Sequence, residues 1–139
     1  MRETKFRIWD KKLQIFSKDL DRIFGLDWNG NLRCLTSFRE HDDFFIQQFT
    51  GLKDKNNKQI YEGDIVKFDI EGVDHGPERE VGNTGEVWFC EEDGCWAFGK
   101  YTNQQYNPPF DWYYTLADRI DRETLEVIGN VFENPELMK

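Results

Sequence analysis

The stretch QFTGLKDKNNKQIYEGDIVKF, residues 48–68, decides the fold. It contains the end of an apolar strand, a Thr-Gly pair at 50–51, a polar turn at 55–57 and a second strand that begins after the Gly-Asp pair at 63–64. Apolar runs bounded by Gly, Asn and Asp predict strands joined by tight turns. Glycine adopts backbone angles that other residues resist, and aspartate can accept hydrogen bonds from nearby main-chain N–H groups. The stretch therefore predicts a fold junction and not an active site.

The same pattern of short apolar runs and turn residues extends over most of the chain. KFRIWDKKLQIF at 5–16 predicts a hairpin with a polar turn at Asp10-Lys11-Lys12. LDWNGNLRCL predicts a second hairpin with Asn29 and Gly30 in a two-residue type I′ turn. EVWFCEEDGCWAFGKY at 86–101 predicts a third, with Gly94 in the left-handed position. DFFIQQF, which we expect to end at the Thr-Gly pair, and ETLEVIGNVF supply further strands.

Three segments do not fit the strand pattern. SKDLDRIFG predicts a short helix with Ser17 as N-cap and Gly25 as terminator. Residues 71–85, with four glycines, one proline and many charges, predict a mobile surface loop. Residues 106–114, YNPPFDWYY, predict an aromatic loop stiffened by the two prolines.

The expected fold is mainly β, built from antiparallel hairpins. The order of elements after residue 60 is similar to that of a small SH3-like barrel: a Gly-Asp pair, an apolar strand, a long loop and two strands joined by a tight turn. We therefore predict an SH3-like barrel-type region with a C-terminal tail at 60–139, and a small N-terminal β or α+β subdomain at 1–59.

Composition and charge exclude several classes of protein. The chain has 139 residues with 12 Phe, 5 Trp and 5 Tyr, enough large rings for a packed core. Its net charge of −9 is uneven, because residues 71–139 carry a net −10. This acidity disfavours direct nucleic-acid binding. Three cysteines and an N-terminus without an apolar leader predict a reducing cytoplasm, and no apolar run reaches the roughly 18 residues of a membrane span.

No catalytic, cofactor or metal site emerges from the residue patterns. Cys90 and Cys95 could belong to a zinc site, but their spacing is not a typical knuckle, and His41, His75 and Cys34 are unpaired in sequence. We interpret the two cysteines as small apolar fillers. No serine or cysteine has a histidine and carboxylate in a triad-like pattern, and glycine-rich phosphate and calcium loops are absent from the sequence. Acid pairs for glycoside or proton chemistry stay open, since nothing selects a pair.

The aromatic residues supply the one candidate surface. Tryptophans in strand candidates are expected to pack in the core or on a sheet. FDWYYTL differs, because four rings in five residues beside two prolines are too many to bury on one side of a loop. We therefore predict that some of them contact a partner protein or a neighbouring subunit, and the candidate protein-binding residues are Phe110, Trp112, Tyr113 and Tyr114.

Three quoted segments carry a family resemblance: KFRIWD, the stretch at 48–68 and EVIGNVFENPEL. Because of these three segments, the chain resembles the YopX family. The members of this family are small proteins encoded mainly in phages and prophages of Gram-positive bacteria. The resemblance touches the beginning, middle and end of the chain but not residues 71–85 or 101–118. It implies a mainly β fold, a phage-derived protein of uncharacterised function, and no catalytic residues to carry over.

Two functional hypotheses follow. The first is a non-enzymatic phage accessory protein in the cytoplasm of the bacterial host that binds protein, either a partner or further copies of itself. The second is a regulator of host or phage nucleic-acid metabolism, including an acidic DNA-mimic inhibitor, or a small enzyme.

Overall fold

A computed structural model of the 139-residue chain describes residues 5–16, 24–26, 28–29, 32–34, 44–68, 83–101, 110–115 and 124–138. The chain divides into two compact units, Met1–Phe49 and Thr50–Lys139. Eleven strands and a single short 3-10 helix make up the regular structure of the described residues. No helix among them is long and apolar enough to cross a bilayer.

The first unit begins with the hairpin predicted at 5–16. Strand β1 (Phe6–Asp10) pairs antiparallel with β2 (Ile15–Phe16) and, on its other side, with the start of β5 (Phe44–Lys53). The Asp10 side chain is fully buried, and its Oδ1 accepts hydrogen bonds from the Lys12 and Leu13 N–H groups, both at 2.9 Å. Asp10 therefore closes the turn, as aspartate does in an Asx-turn.

The second predicted hairpin is present but has a longer connection than expected. Strands β3 (Phe24–Leu26) and β4 (Leu32–Cys34) pair antiparallel, with Leu26 opposite Leu32. Asn29 lies in a turn between these strands, and Gly30 lies outside the described residues. The pairing of Leu26 with Leu32 does not fit a two-residue turn at 29–30, so that prediction was wrong. Gly25 pairs with Arg33 inside β3, where cross-strand pairing outweighs its use as a helix terminator. The rest of that predicted helix, 17–23, lies outside the described residues.

Strand β5 continues past the point where the sequence predicted its end. It includes Thr50 and Gly51 and stops at Lys53. Gly51 has φ +87°, which lets the strand change direction there. The Thr50 hydroxyl donates to the Ile60 carbonyl at 2.8 Å and accepts from the Leu52 N–H at 3.2 Å, which links β5 to β6 (Gln59–Tyr61). The strand persists because this side chain satisfies backbone groups at the irregular point.

A five-stranded antiparallel sheet forms most of the second unit, in the order β10-β9-β8-β7-β11. Its strands are β7 (Asp64–Phe68), β8 (Asn83–Cys90), β9 (Cys95–Tyr101), β10 (Phe110–Thr115) and β11 (Glu126–Asn130). The sheet curls into a half-barrel. The prediction of a mainly β, antiparallel fold is confirmed, whereas the SH3-like detail stays a prediction.

The core of the second unit lies on one face of this curled sheet. Val66 and Phe68 of β7 and Val87 of β8 belong to it, and Phe68 packs edge-on against Phe98 with ring centroids 4.6 Å apart. The buried cluster consists of Ile60, Val66, Phe68, Val87, Trp96, Phe98, Leu125 and Val127. Of the predicted loop at 71–85, residues 71–82 lie outside the described residues, and residues 83–85 begin β8 instead.

The chain ends in a 3-10 helix, Pro135–Met138, that follows β11. The Asn134 side-chain oxygen accepts from the Asn130 N–H at 3.3 Å, and the Asn134 backbone N–H donates to the Asn130 carbonyl at 2.7 Å. A Cβ added to Gly129 would lie 2.7 Å from Asn134 Oδ1 and 2.8 Å from Leu137 Cδ1. Glycine is therefore required where the tail packs back on β11.

Candidate functional site

The four candidate protein-binding residues lie in a strand, not in the loop that the sequence predicted. Phe110, Trp112, Tyr113 and Tyr114 all belong to β10. The two prolines at 108–109 precede the strand, so they remove no donor from its pairing with β9. Aromatic residues and threonine favour extended backbone, and here this preference decides the local structure. The rest of the predicted aromatic loop, 106–109, lies outside the described residues.

The register of β10 against β9 contains one irregularity. Phe110 lies opposite Tyr101 and Trp112 opposite Lys100, so Asp111 is an extra residue on β10. From Trp112 to Thr115 the pairing is regular. Bulges and charged residues are devices that limit further pairing along a sheet edge. The regular part of β10, residues 112–115, is thus the part best suited to accept another strand.

The two edges of the five-stranded sheet differ. At β11, the Leu125 carbonyl accepts from the Lys55 N–H at 2.9 Å, and the Val127 N–H donates to Asp54 Oδ2 at 3.0 Å. The turn at 54–58 therefore satisfies one backbone group of β11 and one of the residue just before it. At the opposite end, β10 pairs with β9 and with no other strand of the described residues. An edge strand of this kind is a template for pairing with another chain.

The tryptophans divide between core and surface. Trp9 and Trp96 are buried, as strand tryptophans were expected to be. Trp28 is fully exposed in the β3–β4 connection, so the packing expectation was wrong there, because the paired strands end before it. Phe89 is 43% exposed at the end of β8, although its ring meets Trp96 edge-on at 5.3 Å. Sequence reasoning missed both exposed rings.

The β8–β9 hairpin carries an acidic tip. Glu91, Glu92 and Asp93 are exposed, and Gly94 has φ +63°, the left-handed conformation predicted for it. Cys90 and Cys95 flank this turn as a directly opposed pair. Within the described parts of the chain, no three His, Cys, Asp or Glu side chains come together as metal ligands. His41 and His75 lie outside those parts.

Two glutamates of the second unit have displaced pKa values. Burial raises the pKa of Glu86, and the nearby Glu62 carboxylate raises it further. For the exposed Glu126, a hydrogen bond from Lys55 lowers the pKa, and the Lys55 Nζ lies 2.7 Å from Glu126 Oε2. These shifts belong to separate structural features, since Glu86 lies in β8 and Glu126 in β11.

The opening stretch and the C-terminal segment of the sequence meet in the second unit. Asp64 Oδ2 accepts from the Tyr61 N–H at 2.8 Å, the role predicted for an aspartate at the start of a strand. Its Oδ1 accepts from Asn130 Nδ2 at 3.3 Å, across 66 positions of sequence. Gly63, with φ +76°, accepts from the Val131 N–H at 2.9 Å. Both segments are therefore structural, as the sequence predicted for the first.

These two segments are among the three that carry the family resemblance. A sequence profile of the YopX protein family matches residues 5–139. The chain belongs to the YopX family. The match spans both compact units and includes residues 71–85 and 101–118, for which the quoted segments gave no resemblance.

Two crystal structures of similar proteins share the fold of this YopX-family chain. Protein EF1440 from Enterococcus faecalis is 23% identical, with a TM-score of 0.58 and coverage of 100% of both chains. Protein YopX from Bacillus subtilis is 21% identical, with a TM-score of 0.54 and the same coverage. Among curated proteins, the comparison finds no match. At these identities the likeness extends to the fold alone.

Proposed function

We propose that this YopX-family chain is a phage- or prophage-encoded, non-enzymatic protein that acts in the bacterial cytoplasm by binding protein through β10. The observation that carries the proposal is the position of Phe110, Trp112, Tyr113 and Tyr114 on an edge strand. Aromatic residues are enriched at protein interfaces, and an edge strand can add a partner's strand through main-chain hydrogen bonds.

The contrast between the two sheet edges supports this choice of surface. The turn at 54–58 bonds to backbone groups at the start of β11, whereas β10 pairs only with β9 among the described strands, so no described strand lies on its other side. Pairing is favoured at 112–115, past the bulge at Asp111. The partner is a further copy of this chain or another protein that offers an extended segment.

Trp112→Ala is the variant that tests the proposal, with Trp28→Ala as the matched control. Trp28 is a fully exposed tryptophan of the first unit, so its loss leaves packing unchanged. Sedimentation should give the oligomer mass of each protein, and capture from host lysate should give its partners. We expect Trp112→Ala to weaken association by about 2 kcal/mol, roughly thirtyfold, with unchanged circular dichroism.

Three results would overturn this assignment. One is unchanged association in Trp112→Ala, and a second is an equal loss in Trp28→Ala. The third is unfolding of Trp112→Ala together with unchanged association in Tyr113→Lys, because a lysine on an edge strand should block strand pairing.

The exposed acidic tip favours a second candidate function. The tip belongs to residues 71–139, which carry a net charge of −10 that includes Glu91, Glu92 and Asp93. Such a distribution could imitate nucleic-acid phosphates and occupy a DNA-binding protein. Salt distinguishes the two functions. A partner held by charge should dissociate as salt rises, whereas one held by β10 aromatics should stay bound.

A further inference from the structure

Two cysteines face each other across the β8–β9 hairpin. Cys90 is the last residue of β8 and Cys95 the first of β9, and the two are directly opposed in the antiparallel register. Directly opposed residues have Cα atoms about 4.5–5.5 Å apart, with side chains on the same face of the sheet. Disulfides span Cα separations of about 4.4–6.8 Å. The register therefore places these cysteines at a Cα separation that a disulfide can span.

The two thiols differ in access to solvent. Both are reduced, and Cys90 is only 3% exposed whereas Cys95 is half-buried. The Cys90 Sγ donates a hydrogen bond to Asp93 Oδ2 at 3.5 Å. The turn between the strands is exposed over all four residues, 91–94, which leaves the end of the hairpin open to a small reagent. A reagent from solution should therefore meet Cys95 first.

We propose that Cys90 and Cys95 form a reversible thiol–disulfide site that exchanges with low-molecular-weight disulfides such as glutathione disulfide. The Cys95 thiolate attacks one sulfur of glutathione disulfide, forms a mixed disulfide and releases one glutathione thiolate. Cys90 then loses its proton, with the Asp93 carboxylate as the nearest acceptor, and attacks Cys95 Sγ. The second glutathione leaves as thiolate and is protonated. Two thiols are oxidised by two electrons and one glutathione disulfide is reduced to two glutathiones.

This role goes beyond that of two apolar fillers. If the two cysteines only filled apolar space, each should react with oxidants separately or not at all, because that role does not require the two sulfur atoms to come into contact. Two opposed thiols instead favour the internal bond, since the second step is intramolecular. The disulfide would join β8 to β9, the strand that also pairs with β10. This inference does not depend on the function proposed for β10.

Mass spectrometry of the full-length chain tests the proposal. The protein is equilibrated in mixtures of glutathione and glutathione disulfide, quenched in acid, alkylated and digested. We expect a Cys90–Cys95 linked peptide whose fraction rises with glutathione disulfide, exceeds the mixed disulfide about tenfold or more, and disappears after dithiothreitol. Cys34→Ser serves as the matched control, and it should leave the linked peptide unchanged.

Single substitutions test the order of the steps. Cys90→Ser should accumulate a glutathione adduct on Cys95, because the resolving thiol is gone. Cys95→Ser should react about tenfold more slowly, because the remaining thiol is buried. If a variant fails to fold, the linked peptide from the protein without substitutions still tests the proposal. Separate alkylation of Cys90 and Cys95 at every glutathione ratio, or a lasting adduct on Cys95 beside an intact Cys90, would overturn the proposal.

Discussion

Asp54 accepts a hydrogen bond from the backbone N–H of Val127, 73 positions further along the chain, with 3.0 Å between N and Oδ2. The other carboxylate oxygen accepts from the N–H groups of Asn56 and Lys58, at 2.8 and 2.9 Å. One buried side chain thus shapes the turn after β5 and fixes this turn to the edge of β11. This relationship explains the turn pattern of a stretch that has no catalytic residues, because its polar side chains hold remote backbone segments together.

Asp54→Asn should destabilise the second unit. The substitution keeps the shape of the side chain but can place an NH2 group where Oδ2 accepts from Val127, which leaves a buried donor without an acceptor. We expect the free energy of unfolding to fall by about 2–3 kcal/mol in urea titrations. Glu126→Gln is the control, since it weakens only the ion pair with Lys55 at the surface and should cost much less than Asp54→Asn. Equal losses in the two variants would contradict this role of Asp54.

Asn130→Ala should also destabilise the fold, by removing a link between β7 and the C-terminal tail. The buried amide donates to Asp64 and accepts from the Phe132 N–H at 3.0 Å. Loss of both bonds should cost about 1–3 kcal/mol by thermal or urea unfolding. Asn56→Ala provides the comparison, because its exposed side chain makes only a 3.4 Å contact with Glu126. A cost as small as that of Asn56→Ala would show that the amide is dispensable.

Gly85→Ala tests how closely β8 and its paired neighbour β9 approach each other. A Cβ at this position would lie 2.9 Å from the Gly99 backbone nitrogen, and main-chain atoms cannot turn aside as a side chain can. We expect a loss of about 2–3 kcal/mol in unfolding free energy. At Gly94, where a Cβ meets nothing within 4 Å, alanine should cost only the strain of a positive φ, about 1 kcal/mol. Unchanged stability in Gly85→Ala would refute the tight contact.

Glu86→Gln should stabilise the chain at neutral pH. Burial first, and Glu62 second, raise the pKa of Glu86 above its ordinary 4.5, so the folded state holds this proton more tightly than the unfolded state. The stability gained from the carboxyl is therefore complete below about pH 4.5 and lost as pH rises through the folded pKa. Urea titrations across this range should give no advantage of the glutamine variant at low pH and a growing one above. An advantage of the same size at every pH would contradict this role of the buried carboxyl.

The sequence by itself determined the fold class and most of the local structure. Apolar runs, Gly94 and the turn at 55–57 identified strands and hairpins because these signals act over a few residues, where backbone preference and turn chemistry suffice. The structural role of the stretch at 48–68 followed from the same signals. The candidate residues of β10 could be chosen from the sequence because four of them are aromatic. Their strand conformation could not be predicted, because the prolines before them indicated a loop.

Only the tertiary structure decided the features that depend on distant partners. The continuation of β5 through Gly51 rests on a hydrogen bond from Thr50 to Ile60, and the position of β10 at a sheet edge rests on the order of five strands. Hydrogen bonds such as Asp54 to Val127 join residues whose separation leaves no periodic trace in the sequence. Local patterns encode local geometry, whereas pairing between remote segments is selected by the packing and hydrogen bonding of the whole fold.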